Sequence, residues 1–417
     1  MRNRIFVLAF VCVIGAVLAG YGYILATKRS FSRIQFGLGA IQPAGAPSYV
    51  ESAMPTPELK AWAGGEPQAK IKDFARNEFL AFDKVLLAYA GTTTRDNDAF
   101  YWAFMPREPL IPIGVDSGNV FRLRGTDNLV EILLGDQKTL DQVPDEVSAA
   151  NSLAEKYPNV HFNYYGVSEW TMTKTALDAG YRDPVAQAWD QFVAGVSAHA
   201  QTAVFNDDDW TRLFFKTDHH WNPTGAYQAY LDIMRLLSRT NSKIGADRVP
   251  FKQQTVQGVE FRGSIARTAA LYNISEPFLA LTGHDPALKA YVDGKRNYGA
   301  IMNTSFLKNP PKAPFASLYG MYNGGDYPLI EYRKDAPGAG NLLVFADSFS
   351  NSMEDLVASH FQHTYVVDLR HYAKWSGKPF DMGSFIKEHG ITDVLFMGRP
   401  SRVMTIPAAL RDEVPVK

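Results

Sequence analysis

The chain has 417 residues, with 42 Lys and Arg against 43 Asp and Glu and a net charge of -1, a balance that excludes bulk attraction to nucleic acid or any other polyanion. Its single cysteine, Cys12, excludes an intrachain disulfide. The length suffices for one large domain or two.

Met1-Arg2-Asn3-Arg4 is basic, and Ile5 to Ala26 carries no charge. A helix needs about 20 apolar residues to cross a bilayer, and this run supplies them. A secretory signal has the same order of basic start and apolar core, but that core spans about 7–15 residues, and no clean Ala-x-Ala cleavage site follows here. We therefore expect residues 1–30 to be an uncleaved single-pass anchor, with the globular body outside the cytoplasm. Residues 31–66, rich in Gly, Pro, Ala and Ser, read as a linker.

Residues 67–417 read as one α/β domain. Strand-like runs stand at Val85 to Tyr89 and Val160 to Tyr165, with a helix between them at Pro144 to Lys156 and Pro144 in its first turn. A helix at Arg182 to His199 precedes Ala203-Val204-Phe205. Then comes Thr217-Asp218-His219-His220-Trp221-Asn222-Pro223. Asn222 is a good N-cap and Pro223 suits the first helical position, so the run ends on a fixed turn before a helix from Tyr227 to Leu237. Residues 243–340 have scattered Gly, Pro and Asn and read as a loop-rich insertion.

The last eighty or so residues alternate apolar strands with helices: Leu342 to Ala346, a helix over Asn351 to Phe361, Tyr365 to Leu369, a helix over Phe380 to His389 ended by Gly390, and Val394 to Met397. Strands buried on both faces and separated by helices indicate a parallel sheet.

Sites in such sheets form beyond the carboxyl ends of strands. Asp347-Ser348 stands there, with its hydroxyl exposed and a helix start nearby to receive an anion. A serine needs a base, and the turn at Asp218 and His220 supplies imidazole and carboxylate together. Each feature also has a structural reading. Asp347 and Ser348 are good caps, and the His turn can be held by ordinary hydrogen bonds. Zinc sites on helices use histidines four residues apart, whereas His219 and His220 are adjacent, so we expect no metal. No cofactor is expected. His161, His199, His284, His360, His363, His371 and His389 have no partner at a meaningful spacing. The aromatic residues around Trp170, Trp210 and Trp221 either line a sugar groove or belong to the core.

The tetrapeptide Asp218-His219-His220-Trp221, followed later by Ala346-Asp347-Ser348, resembles the DHHW protein family and the alginate O-acetyltransferase branch of the SGNH hydrolases. In that branch Asp-x-His precedes the serine, as here. Ala346 replaces the Gly of the family's Gly-Asp-Ser block, and the Gly and Asn blocks of ordinary SGNH esterases have no clear match. The resemblance implies a three-layer SGNH-hydrolase-like fold. It also implies a Ser348–His220–Asp218 triad at a bacterial cell membrane, moving an acyl or acetyl group onto a cell-surface or secreted glycan. A multi-pass membrane acyltransferase would be its partner in delivering that group. Asn323, Gly325 and Arg399 are candidates for oxyanion or substrate binding. The same triad would serve a glycan acetyl esterase, and a degenerate one would leave a non-catalytic glycan-binding or assembly protein.

Overall fold

A computed structural model describes residues 109–410 apart from 114–118, 133–134, 198–199, 206–209, 270, 272, 284, 298–309, 311–315, 323 and 336–337. The expected anchor, the linker and the strand at Val85 to Tyr89 lie outside the described residues. Among those described, no helix is long and apolar enough to cross a membrane.

A small antiparallel sheet comes first, from β1 (Leu110–Pro112), β2 (Val120–Leu123) and β3 (Leu129–Glu131). Among the described residues the main sheet has eight strands. β4 (His161–Val167), β5 (Ala200–Phe205), β11 (Asn341–Phe345), β12 (His363–Val367) and β13 (Asp393–Gly398) run parallel in the order β5-β4-β13-β11-β12. The expected parallel sheet is thus part of a mixed one. Region 243–340, read from sequence as loops, extends it with the antiparallel strands β10 (Leu329–Lys334), β8 (Leu288–Val292) and β9 (Lys295–Arg296). The same region adds a short ladder of β6 (Gln253–Thr255) on β7 (Leu279–Leu281). Strands this short, between Gly, Pro and Asn, give too few alternations to be seen in sequence.

Alternation along each strand sends neighbouring residues to opposite faces. In β11, Leu342 and Val344 join one buried cluster, while Leu343 and Phe345 join another. In β13, Leu395 and Met397 go with the first cluster, and Val394 and Phe396 go with the second. The second cluster is closed by α1 (Gln137–Lys156), α2 (Pro184–Gly195), α6 (Met382–His389) and α7 (Pro400–Ala409). The first is covered by α3 (Pro223–Ser238) and by α4 (Glu354–Ala358).

Several element ends differ from expectation for local reasons. Asp136 and Thr139 form a capping box that starts α1 seven residues before Pro144, so this proline lies in the helix interior. It is exposed there, and it supplies no amide donor to the preceding turn. α2 is shorter than Arg182 to His199 because Asp183 caps it with Pro184 in the first turn. The helix expected over Asn351 to Phe361 is instead a 3-10 turn at Ser350–Ser352 followed by the five-residue α4. The Ser350 hydroxyl bonds the Asp347 carbonyl and the Glu354 carboxylate, a local competition that interrupts helices. α6 ends at Gly390, which adopts a left-handed φ of 56° as its cap requires.

Candidate active site

The turn before α3 is fixed at both ends. The Asn222 side chain accepts from the amides of Thr224 and Gly225 at 2.9 and 3.2 Å, and its own amide donates to the carbonyls of Arg212 and Phe214. At the other end the Glu276 carboxylate accepts from the amides of Lys216 and Thr217 and from the Thr217 hydroxyl, at 2.8–2.9 Å. Trp221 is fully buried and donates its indole N–H to Ser352 Oγ at 2.9 Å. That bond ties the turn to the segment just after Ser348.

Within this frame Asp218 Oδ1 lies 2.6 Å from His220 Nδ1 and accepts the His220 amide at 3.0 Å. Asp218 Oδ2 accepts the Ser264 amide at 2.6 Å. His220 Nε2 stands 2.9 Å from Ser348 Oγ, across 128 residues of sequence. Burial pushes the Asp218 carboxyl up, but His220, His219 and the Ser264 amide outweigh it and hold the group well below the usual carboxylate range. An ionised Asp218 accepts the Nδ1 proton, so Nε2 is left to accept from the serine hydroxyl. Tyr319 lies flat on His220, with ring centres 3.8 Å apart and planes within 10°. Phe349 meets the same imidazole edge-on at 5.1 Å. The imidazole is therefore fixed in plane and in tautomer.

His219 is not bonded to backbone through its ring. Its Nδ1 lies 2.5 Å from Ser264 Oγ. Burial and the neighbouring His220 hold it well below the ordinary histidine value, so it stays neutral. Asp347 accepts the Phe349 amide at 3.1 Å, capping the turn that presents Ser348. Burial pushes its carboxyl up against the opposing pull of that amide, Arg370, His220 and Arg399.

The ligating atoms of Asp218, His219 and His220 lie within 4.8 Å of one another. Both Asp218 oxygens and both His220 nitrogens already have partners in the chain, so an ion there would displace Ser348. Asp326, Asp368 and His371 form a second such group, where Arg370 already occupies the Asp368 carboxylate.

Three further residues were candidates. Asn323 lies outside the described residues. Gly325, with φ of 141°, precedes Asp326, whose carboxylate accepts from Asn351 Nδ2 at 2.9 Å. This loop therefore borders the Ser348 turn. Arg399 follows β13, next to β11, the strand that ends three residues before Ser348, and lies 3.7 Å from Glu169 and 3.9 Å from Glu131. Trp170, Trp210 and Trp221 are all buried core residues. His161, His363 and His360, which had no partner by spacing, meet Asp393, Glu331 and the Tyr230 hydroxyl.

Sequence reasoning missed Ser264, Glu276 and Tyr319. None carries a local signal, since each reaches the turn only through the fold. Gly263, which leaves room for Asp218, was missed for the same reason.

Residues 168–283 match the model of the SGNH hydrolase-like domain of the acetyltransferase AlgX. No curated protein matches the sequence. Among solved structures, Bacillus cereus PatB1 with a sulfonyl adduct shares 21% identity over 69% of this chain and 97% of its own, with a TM-score of 0.55. A DHHW family protein of Eubacterium siraeum shares 21% over 70% and 98%, with a TM-score of 0.47. The O-acetyltransferase domain of Pseudomonas putida AlgJ shares 13% over 69% and 92%, with a TM-score of 0.37. The chain is thus similar to the SGNH hydrolase-like domain of AlgX over residues 168–283, and the Asp218-His219-His220-Trp221 motif that first suggested this lies within that span.

Proposed function

We propose that this chain is a glycan O-acyltransferase, using acetyl as the natural small acyl group, with Ser348 as nucleophile, His220 as base and Asp218 as its orienting partner. The observation that carries the reading is the unbroken relay from Asp218 Oδ1 to His220 Nδ1 at 2.6 Å and from His220 Nε2 to Ser348 Oγ at 2.9 Å. In the first half-reaction Ser348 Oγ attacks the acyl carbon of the donor while its proton passes to His220 Nε2. The tetrahedral intermediate collapses, and the leaving group departs with that proton. In the second half a sugar hydroxyl attacks the acyl-enzyme, gives its proton to the same nitrogen, and Ser348 is released protonated. The charge of Arg399 reaches both Asp347 and His219. With Gly325, whose loop meets Asn351 just after Ser348, it is assigned to receive the acyl oxygen as that atom becomes negative.

The rest of the reading follows from the sequence. The fold is a three-layer SGNH type. Residues 1–30 anchor it on the outer side of a bacterial cell membrane, and the acyl group arrives through a multi-pass membrane partner. Hydrolysis and transfer share one acyl-enzyme and differ only in what attacks it.

The fold-similar Bacillus cereus protein carries a sulfonyl adduct, so a sulfonyl fluoride is a suitable probe. Wild type is expected to gain one covalent sulfonyl group and Ser348→Ala none. Equal labelling of the two refutes the nucleophile. Acyl release that speeds up when acceptor oligosaccharide is added supports transfer, and release indifferent to acceptor supports an esterase.

A further inference from the structure

A pocket of about 370 Å³ opens on the far side of the sheet from Trp221 and Tyr319, where Tyr291, Glu331, Tyr365, Trp375, Phe385 and His389 converge. Tyr365 and Phe385 belong to the hydrophobic cluster on this second face, whereas Tyr319, Trp221 and Phe349 belong to the first. Its volume sits at the small end of the range for ligand cavities, roughly 300–1,000 Å³.

Three features narrow what fits. Trp375 stands on α5 (Leu369–Ser376) and is 43% exposed, the most exposed of the large apolar side chains among the described residues. Its indole meets the Tyr372 ring edge-on at 5.5 Å, which leaves much of the apolar plate in water at the pocket wall. Second, the charges at the base are already matched. Glu331 accepts from Arg333 Nε and Nη2 at 2.7 and 2.6 Å and meets His363 Nδ1 at 3.1 Å. The Arg333 guanidinium lies 4.2 Å over the Tyr291 ring. A ligand cation would find the Tyr291 face and the Glu331 carboxylate both taken, so its recognition would rest on the Trp375 indole and Asp293 alone. Third, Asp293 is held at the exposed mouth by a two-residue turn between β8 and β9, with φ of 52° at Asp293 and 72° at Gly294. Such turns fix the backbone that carries the side chain, and this carboxylate repels an anion.

A neutral ring with apolar faces and a polar rim answers all three. A pyranose presents C–H groups above and below its plane and hydroxyls around its edge. Its face would cover the Trp375 indole, and its hydroxyls would meet Asp293, His389 and the tyrosine hydroxyls. We propose that this pocket is a second carbohydrate site, holding one uncharged hexopyranose unit of a glycan away from the Ser348 crevice. The site depends on its own walls and stands whether or not Ser348 is a nucleophile.

The test uses the full chain in a detergent without a sugar headgroup. It is titrated with cellotetraose, chitotetraose and maltotetraose, followed by tryptophan fluorescence and saturation-transfer NMR. At least one of the three is expected to bind wild type. Trp375→Ala is expected to weaken that binding at least about tenfold with unchanged Tm and unchanged sulfonyl labelling, while Trp375→Phe stays near wild type. The Ser348→Ala variant is expected to bind as wild type does. The proposal falls if none of the three binds at about 10 mM, if Trp375→Ala binds them equally well, or if choline binds there and the sugars do not.

Discussion

Gly263→Ala tests the site through a residue that performs no chemistry. Gly263 has φ of -75°, which any residue adopts, so torsion does not demand glycine there. Space does. A methyl on Gly263 would stand 2.7 Å from the Asp218 Cα and overlap its Cβ and Oδ2. Carbon contacts are comfortable from about 3.5 Å, and the Asp218 Cβ would lie at 2.3 Å, so Asp218 must retreat by roughly 1.2 Å. The retreat pulls the carboxylate off His220 Nδ1, now 2.6 Å away, and disturbs the Ser264 amide bond. A misplacement near 1 Å costs about 10²-fold in rate, and overpacking costs about 1–3 kcal/mol of stability. The rate is read as the single-turnover acylation burst with p-nitrophenyl acetate, and stability as Tm. Gly245→Ala serves as the control, since its added methyl meets nothing within 4 Å. If folded Gly263→Ala acylates within twofold of wild type, Asp218 does not orient the base in this way.

Asp218→Asn keeps the shape but favours the wrong imidazole tautomer, and acylation should fall about 10⁴-fold with little change in Tm; a fall under tenfold contradicts the triad. Tyr319→Leu removes the ring stacked on His220 and should slow acylation by up to about tenfold, whereas Tyr319→Phe keeps the ring and most of the rate; equal losses in both would assign the effect to the Ser352 hydrogen bond instead. Burial pushes the Glu169 carboxyl up to about 7, against the opposing charge of Arg399. The folded state therefore holds a proton the unfolded chain releases, and stability declines as pH rises from about 4.5 to 7, by at most about 3 kcal/mol. Glu169→Gln should raise Tm relative to wild type at pH 8 but not at pH 5; a shift of equal size at both values refutes the assignment.

The sequence by itself determined the pieces whose causes are local. Asn222 and Pro223 start α3 because capping and a fixed φ act within one turn. Gly390 ends α6, and the apolar runs of β11, β12 and β13 are strands, for reasons equally contained in a few residues. The sequence also marked Asp218, His220 and Ser348 as residue types able to work together. What only the tertiary structure decided lies in contacts between distant segments. The parallel pairing of β11 with β13 and the burial of Trp221 against Ser352 bring Ser348 to His220. Ser264, Glu276 and Tyr319 reach the turn from 44 to 99 residues beyond His220. A hydrogen bond or a stacked ring leaves no periodicity in the chain that supplies it, because its geometry exists only once the sheet has closed around it.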